Sequence, residues 1–451
     1  MLIRLSIGNL YSFRENTEFN MLTGDTRRHP HHVHQLGKIS AVRMAAIYGA
    51  NGAGKSNLIK ALDLLQEAAT SERIPNEKIS PHKFGVPTDC PFPEIEVEVF
   101  LNNKPYLYGL TLVHNRVVEE WLYESGLGVK ADSLIFERTT SAEGLTKISF
   151  APKNEQNSKA RLRKELYENE FLKSNSTLLW QLNQAKEVVI EEAIQLFGWF
   201  ENHLQILRAD ELPAGIVERL LEDPGFHAFC NEFLPSLDTG VSELVVKTEK
   251  YKESSIREDA RLLEDVLEDL EKGEKLVHLD YDDDTPGVVM FENGELVIKR
   301  LASFHLTEDD QRVMFDFGEE SDGTRKLTEF LSIFYGLKSQ ADTVFIDEIE
   351  RSIHPSLIRE ILKKLSEEKA AKGQLVFTTH ESSLLDFDLF RQDEIWFAEK
   401  NGKGATKLYP LSDFDIRPDL NIEKGYLLGR FGAVPSLVDL KKKDWTTPTH
   451  A

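Results

Sequence analysis

Cysteine is nearly absent: Cys90 and Cys230 stand alone in a chain of 451 residues. Two isolated thiols build neither a disulfide framework nor a cysteine zinc site, and they fit a reducing cytoplasm. No run of about eighteen apolar residues occurs, which excludes a membrane-spanning helix. The opening stretch, MLIRLSIGNLYSF, alternates like a strand and lacks the parts of a secretory signal. An excess of basic charge is missing too, since the formal net charge is -22. Nucleic-acid binders draw affinity from neutralising phosphates, so a chain this acidic is a poor general DNA coat. A local basic groove or a basic protein partner stays open. No internal repeat is evident, and no amphipathic segment is long enough for a coiled-coil arm.

What is present is patterned. Strand-like segments at Leu2–Ile7 and Val42–Tyr48 bracket a stretch holding His29, His31, His32 and His34. Pro30 and the polar surroundings predict a loop there rather than a zinc site. An amphipathic helix starts at Ser56 and turns Leu58, Ile59, Leu62 and Leu65 to one face. Period-two alternation over Glu94–Leu101, Tyr106–Val113 and Val117–Glu124 predicts an antiparallel meander. From about Ala151 to Leu276 the pattern is mostly helical, with Leu262, Leu263, Val266, Leu267 and Leu270 on one face of Arg257–Leu270. Strand patterns return at Gly287–Phe291 and Glu295–Ile298.

Four short elements carry chemistry. Gly49-Ala50-Asn51-Gly52-Ala53-Gly54-Lys55-Ser56 fits the phosphate loop G-x-x-x-x-G-K-[ST] at every required position. Glycines let the backbone N–H groups of Gly49, Asn51, Gly52, Ala53, Gly54 and the following Asn57 region converge on phosphates. Lys55 reaches the β- and γ-phosphates, and the Ser56 hydroxyl joins a Mg²⁺ shell. Thr343–Ile346 is an apolar strand that ends in Asp347 and Glu348. Asp347 is expected to hold Mg²⁺ and Glu348 to act as general base on water. Ser321 and Gly323 lie just before a helix at Arg325–Leu337, a serine N-cap that by itself marks only a helix start. Val376–Thr379 is a further apolar strand ending in His380, suited to orient water or γ-phosphate. No Asn-Lys-x-Asp motif occurs, which favours ATP over GTP. Tyr11 or Phe13 either stacks on adenine or packs in the core.

The order of phosphate loop, long insertion, signature-like helix, Asp-Glu strand and His resembles ABC-type ATPase heads. The Glu320-Ser321-Asp322-Gly323-Thr324 wording departs from the usual Leu-Ser-Gly-Gly-Gln. Together with Ile346–Pro355 and a closing segment Glu423–Pro435, the chain resembles the AAA-labelled, ABC-like ATPases grouped with the OLD and AbiL phage-defence proteins. The AriA subunit of PARIS is similar in kind. The resemblance implies an α/β fold, an ABC-type P-loop ATPase head with a mixed sheet and a mainly helical insertion. Residues 1–125 and 286–451 would form the head and 126–285 the insertion.

It further implies Mg-ATP hydrolysis between two heads, Lys55, Glu348 and His380 of one facing Ser321 and Gly323 of the other, with Ser352–Pro355 contacting the opposite head. The expected role is a sensor or regulator in bacterial antiphage defence, with a separately encoded effector such as a TOPRIM-like nuclease. Asp386, Asp388, Asp413 and Asp415 are read as loop acids, because 381–451 is too short for an added nuclease. Lys441–Lys443 reads as a solvated run. Two other classes stay in view: a DNA-engaging ATPase of the SMC and repair kind, and a scaffold that binds ATP without hydrolysing it.

Overall fold

Five successive buried residues, Met44–Tyr48, make a strand with apolar neighbours on both faces. Such a strand belongs in the middle of a parallel sheet, not at an edge. The computed structural model describes residues 1–24, 28–87, 89–154, 162, 164–184, 190–208, 215–250, 276–279, 286–417 and 420–434. The expected helix Arg257–Leu270 and the run Lys441–Lys443 lie outside them. The chain divides into two units: Met1–Ala209, Gln340–Glu350 and Ile361–Ala451 in one, Asp210–Ser339 and Arg351–Glu360 in the other.

The first unit opens with β1 (Leu2–Gly8), β2 (Thr17–Asn20), β3 (Val33–Leu36), β4 (Ile39–Val42) and β5 (Met44–Tyr48). Helix α1 (Lys55–Thr70) follows, then β6 (Glu94–Leu101), β7 (Lys104–Leu112), β8 (Val117–Glu124), β9 (Ser133–Thr140) and β10 (Thr146–Phe150). Helices α2 (Leu178–Gln184) and α3 (Glu191–Asn202) lead into β11 (Leu204–Leu207). The second unit carries α4 (Ile216–Glu222), α5 (Pro224–Phe233), β12 (Val241–Lys250), β13 (Leu276–Leu279), β14 (Gly287–Glu292), β15 (Glu295–Leu306), β16 (Arg312–Asp316) and α6 (Asp322–Ser339). Then come β17 (Thr343–Ile346), α7 (Pro355–Glu367), β18 (Gln374–Thr379), β19 (Ile395–Lys400), β20 (Thr406–Pro410) and α8 (Ile422–Leu427).

Among the described residues two large sheets build the first unit, beside the two-stranded β3-β4. One is antiparallel, ordered β10-β9-β8-β7-β6-β1-β2. The other is ordered β11-β17-β18-β5-β19-β20, parallel throughout except for β20. Helix α1 buries Leu58, Ile59, Leu62, Leu64 and Leu65 in the core, each worth about 1.5–3 kcal/mol of burial. Gln374 at the start of β18 is fully buried, and its amide bonds Leu2 N–H and the carbonyls of Leu2 and Val42. A buried amide with every partner met fixes where the N-terminal strand lies against the parallel sheet.

The expected meander is present as β6–β8 and continues through β9 and β10, beyond residue 125. Arg138 hides that extension from a hydrophobicity reading, because it faces inward. Its guanidinium lies 3.5 Å from the Glu120 carboxylate, which also accepts the N–H groups of Leu178 and Leu179 at 2.6 and 2.9 Å. A carboxylate at the first turn of α2 satisfies donors that the helix leaves open, and ties the helix to the sheet. The stretch 126–285 thus holds strands β9–β13 as well as helices α2–α5, and β11 joins the parallel sheet beside β17.

The second unit has a sheet ordered β12-β15-β14-β13, with β16 on β15. Asp223 caps α5 by accepting from Gly225 and Phe226 N–H, and Pro224 supplies the first-turn φ. Arg219 of α4 lies over the Phe226 and Tyr335 rings and donates to Ser332 O at 2.8 Å, joining α4, α5 and α6. Among the described residues no helix is long and apolar enough to cross a membrane.

Candidate nucleotide site

Register sets the site. Thr379 of β18 pairs with Tyr48 of β5, so these two parallel strands end level, and β17 ends two residues earlier, Ile346 beside Phe377, with Asp347 and Glu348 following it. Ligands bind at such carboxyl ends in α/β sheets. The chain leaves β5 through Gly49–Gly54 and enters α1 at Lys55. Gly54 caps α1 with φ 110°, and a Cβ there would meet Thr406 Oγ1 at 2.2 Å and Ser12 Oγ at 2.8 Å. A Cβ on Gly49 would meet Ala398 O at 2.4 Å. Only glycine fits either place. By contrast nothing lies within 4 Å of the Cβ position of Gly52, whose neighbour Asn51 is likewise exposed.

The loop is held from beneath and behind. Thr406 donates its hydroxyl to Ala53 O or Ser12 Oγ, both at 2.8 Å, and Asn57 donates to Ser12 Oγ at 2.7 Å. From the closing segment, Ala433 O accepts Ala50 N–H at 2.9 Å and the Tyr426 hydroxyl at 3.2 Å. Thr406 also lines a cleft of about 810 Å³ with Arg14, Asn16, Lys407 and Tyr409. Lys55 Nζ folds onto Gly49 O at 2.8 Å and the His380 ring at 3.1 Å. Burial lowers its ammonium pKa to about 8, opposed by the charges of Asp347, Glu350 and Glu348.

The acids that follow β17 are organised by β18. Thr378 donates its hydroxyl to Asp347 Oδ1 at 2.5 Å and accepts Glu348 N–H at 2.8 Å, while its carbonyl accepts Ile349 N–H. Glu348 has φ 53°, a left-handed conformation uncommon for a residue with a side chain. Its carboxylate lies 3.7 Å from His380 Nε2, and Glu350 accepts His380 N–H at 2.5 Å. Lys55, Asp347, Glu348 and His380, far apart in sequence, therefore come together. Thr378 and Glu350 were not singled out from sequence; Glu350 carries a faint signal in the Asp-Glu-x-Glu spacing.

In the second unit Ser321 stands before α6 and accepts Thr324 N–H at 3.2 Å, the bond of an N-cap serine. A Cβ on Gly323 would meet Ser352 O at 2.8 Å, so the 352–355 turn lies against the helix start. Ser352 is itself left-handed, with φ 64°. Phe13 is fully buried in the core and Tyr11 gives its hydroxyl to Lys78 O, which assigns Phe13 to packing. Asp386 and Asp388 sit in an Asx turn, Asp388 N–H donating to Asp386 Oδ1 at 2.9 Å.

The residues fit a Mg-nucleotide. The glycine cradle is open at Gly52 and closed to Cβ atoms at Gly49 and Gly54, as phosphate oxygens against backbone N–H groups require. Ser56 at the helix start and Asp347, buried and fixed by Thr378, are the hard oxygen donors that magnesium takes.

Comparison with known proteins places the chain further. A family model described as "AAA domain, putative AbiEii toxin, Type IV TA system" matches residues 44–386. No curated protein matches. Among solved structures, the SMC head domain from Thermotoga maritima matches at 11% identity and TM-score 0.38, covering 92% of this chain and 99% of that one. An SmcHead bound to the C-winged helix domain of ScpA matches at 13% identity and TM-score 0.41, covering 91% and 97%. An Smc head domain bound to the C-terminal domain of ScpA, derived from Pyrococcus furiosus, matches at 12% identity and TM-score 0.38, covering 95% and 98%. The fold is that of an ABC-type P-loop ATPase head, read from the phosphate loop, the parallel strand order and the antiparallel sheet beside it. The chain belongs to the family of AAA domains that its model describes with the AbiEii toxin of type IV toxin–antitoxin systems.

Proposed function

We propose that the chain binds Mg-ATP on the Gly49–Ser56 loop and hydrolyses it with Glu348 as general base. The observation that carries this is the meeting of Lys55, Asp347, Glu348 and His380 at the carboxyl ends of β5, β17 and β18. Lys55 would leave Gly49 O for the β- and γ-phosphates. Backbone N–H groups from Gly49 to Asn57, Asn51, Gly52, Ala53 and Gly54 among them, would wrap the phosphate chain. Ser56 and Asp347 would hold Mg²⁺, whose charge offsets that of the phosphates. Glu348, held toward His380 by its left-handed backbone, would take the proton of the attacking water. His380 would hydrogen-bond the γ-phosphate.

The site is completed by a second copy of the chain, whose Ser321 and Gly323 would meet the γ-phosphate at the start of α6. What supports this is a helix N-terminus with a serine cap and a close-packed glycine, since helix N-termini suit anions. Closure of two heads around ATP would set the state of a separate effector in antiphage defence, a TOPRIM-like nuclease being the expected kind, in the cytoplasm. Mixing tests the shared site. Lys55→Ala and Ser321→Arg chains should each be nearly inactive alone and regain part of the turnover when mixed. Full turnover by Ser321→Arg alone would overturn the two-head reading.

A further inference from the structure

The segment Pro30–His32 is a single 3-10 turn capped by His29 at φ 43°. In this geometry side chains three apart eclipse, which puts His29 over His32. Their rings are stacked with centroids 4.7 Å apart and planes at 16°. His31 stands edge-on to His32 at 4.6 Å. One ring nitrogen from each of the three lies within 4.8 Å of the others. The backbone beneath is fixed: His32 N–H bonds His29 O, Arg43 N–H bonds His32 O, and Arg43 Nη1 donates to His31 O.

One ring nitrogen on each of His29 and His32 is engaged elsewhere, and the other is left. His29 Nε2 is engaged by Phe387 O at 2.8 Å, which leaves Nδ1. His32 Nδ1 is held by the Glu394 carboxylate at 3.0 Å. Its Nε2 is buried without a hydrogen-bond partner, in a residue only 1% exposed. Buried polar atoms are nearly always paired, so an orphaned imidazole nitrogen beside two other imidazoles calls for a ligand. A carboxylate on the far nitrogen is the arrangement that orients metal-bound histidine.

We propose that His29, His31 and His32 form a Zn²⁺ site, with Glu394 as the positioning residue for His32. Imidazole donors suit zinc and not magnesium. Bonds of about 2.0–2.1 Å require the three nitrogens to draw together, which the half-exposed His29 and His31 rings can do by rotating. Of the nearby cations, Arg391 pairs with Asp393, and Arg43 donates to His31 O and Glu368 O. The sequence predicts a loop over His29–His34; the structure has a 3-10 turn at Pro30–His32 and puts His34 on β3, and the metal-ligating set comes from that turn and from Glu394, more than 360 residues away. The ion would lock the turn before β3, which His29 and His32 already join to the segment between β18 and β19 through Phe387 O and Glu394, and would leave one coordination position for water.

The test uses the full chain, stripped with a chelator, dialysed against zinc chloride and assayed for bound metal. The wild type should retain about one zinc per chain. The His29→Gln/His31→Gln double variant, altered only at half-exposed rings, should lose it while keeping its circular dichroism. Glu394→Gln should weaken binding about 10–100-fold, and Asp347→Asn should leave it unchanged. Added zinc should raise the melting temperature of the wild type and not of the double variant. Absence of stoichiometric zinc on the wild type, or equal zinc on the double variant, overturns the proposal.

Discussion

The Thr378 hydroxyl donates to Asp347 Oδ1 at 2.5 Å, and the same oxygen accepts the Glu348 N–H at 2.8 Å. One side chain on β18 therefore fixes both acids that follow β17, and supports the left-handed backbone of Glu348. Thr378→Val keeps the shape and removes both bonds. Hydrogen bonds to charged groups are worth about 1.5–3 kcal/mol, so kcat should fall roughly 10–100-fold while the ATP Kd changes little. Steady-state turnover beside equilibrium nucleotide binding measures this. Unchanged kcat would mean that Thr378 positions neither acid.

Gly54 should tolerate no side chain. At φ 110° an alanine is strained by about 1–3 kcal/mol, and its Cβ would displace the Thr406–Ser12 pair that carries the loop. Gly54→Ala should lower the melting temperature by several degrees and weaken ATP binding at least about tenfold. Gly402→Ala, with nothing within 4 Å and no left-handed φ, is the control and should change neither. Equal behaviour of the two variants in thermal melts and binding would contradict the steric argument.

Glu329 gives a pH dependence of known sign. Buried in α6, its carboxyl is pushed up from 4.5 to about 7, mainly by burial, with Lys326 opposing. The folded chain then holds a proton that the unfolded chain releases, so stability falls as pH rises from about 4.5 to about 7. Glu329→Gln is neutral throughout and lacks that slope. The variant should gain on the wild type by up to about 3 kcal/mol across the window, and the gap should be level above it. Glu394, raised by burial to about 8, contributes equally to both proteins and cancels in the difference. Urea melts at pH 5 and pH 8 measure the gap; a constant gap would mean that Glu329 is not buried as an acid.

The phosphate loop, Asp347, Glu348 and His380 were legible because each sits in a short run whose chemistry is local. A glycine-rich turn between an apolar strand and a helix can be read without knowing its neighbours. Thr378 was not legible, since its role depends on β18 lying beside β17 in one register, and no local pattern states that pairing. Ser12 and Thr406 share the difficulty, being brought under Gly54 from segments nearly 400 residues apart. In β9 the inward Arg138 breaks the apolar alternation, and the carboxylate that makes it tolerable lies on β8. The short strand β11 sits in a mostly helical stretch, where its four residues carry too little period to stand out.

Single-residue exchange at Glu348 tests the central claim most directly. Glu348→Gln keeps size and backbone while removing the base. Steady-state ATP turnover should drop about a hundred- to ten-thousand-fold with ATP still bound at near wild-type affinity. Turnover at the wild-type rate in Glu348→Gln would show that hydrolysis does not run through this carboxylate, and would contradict the assignment of the site.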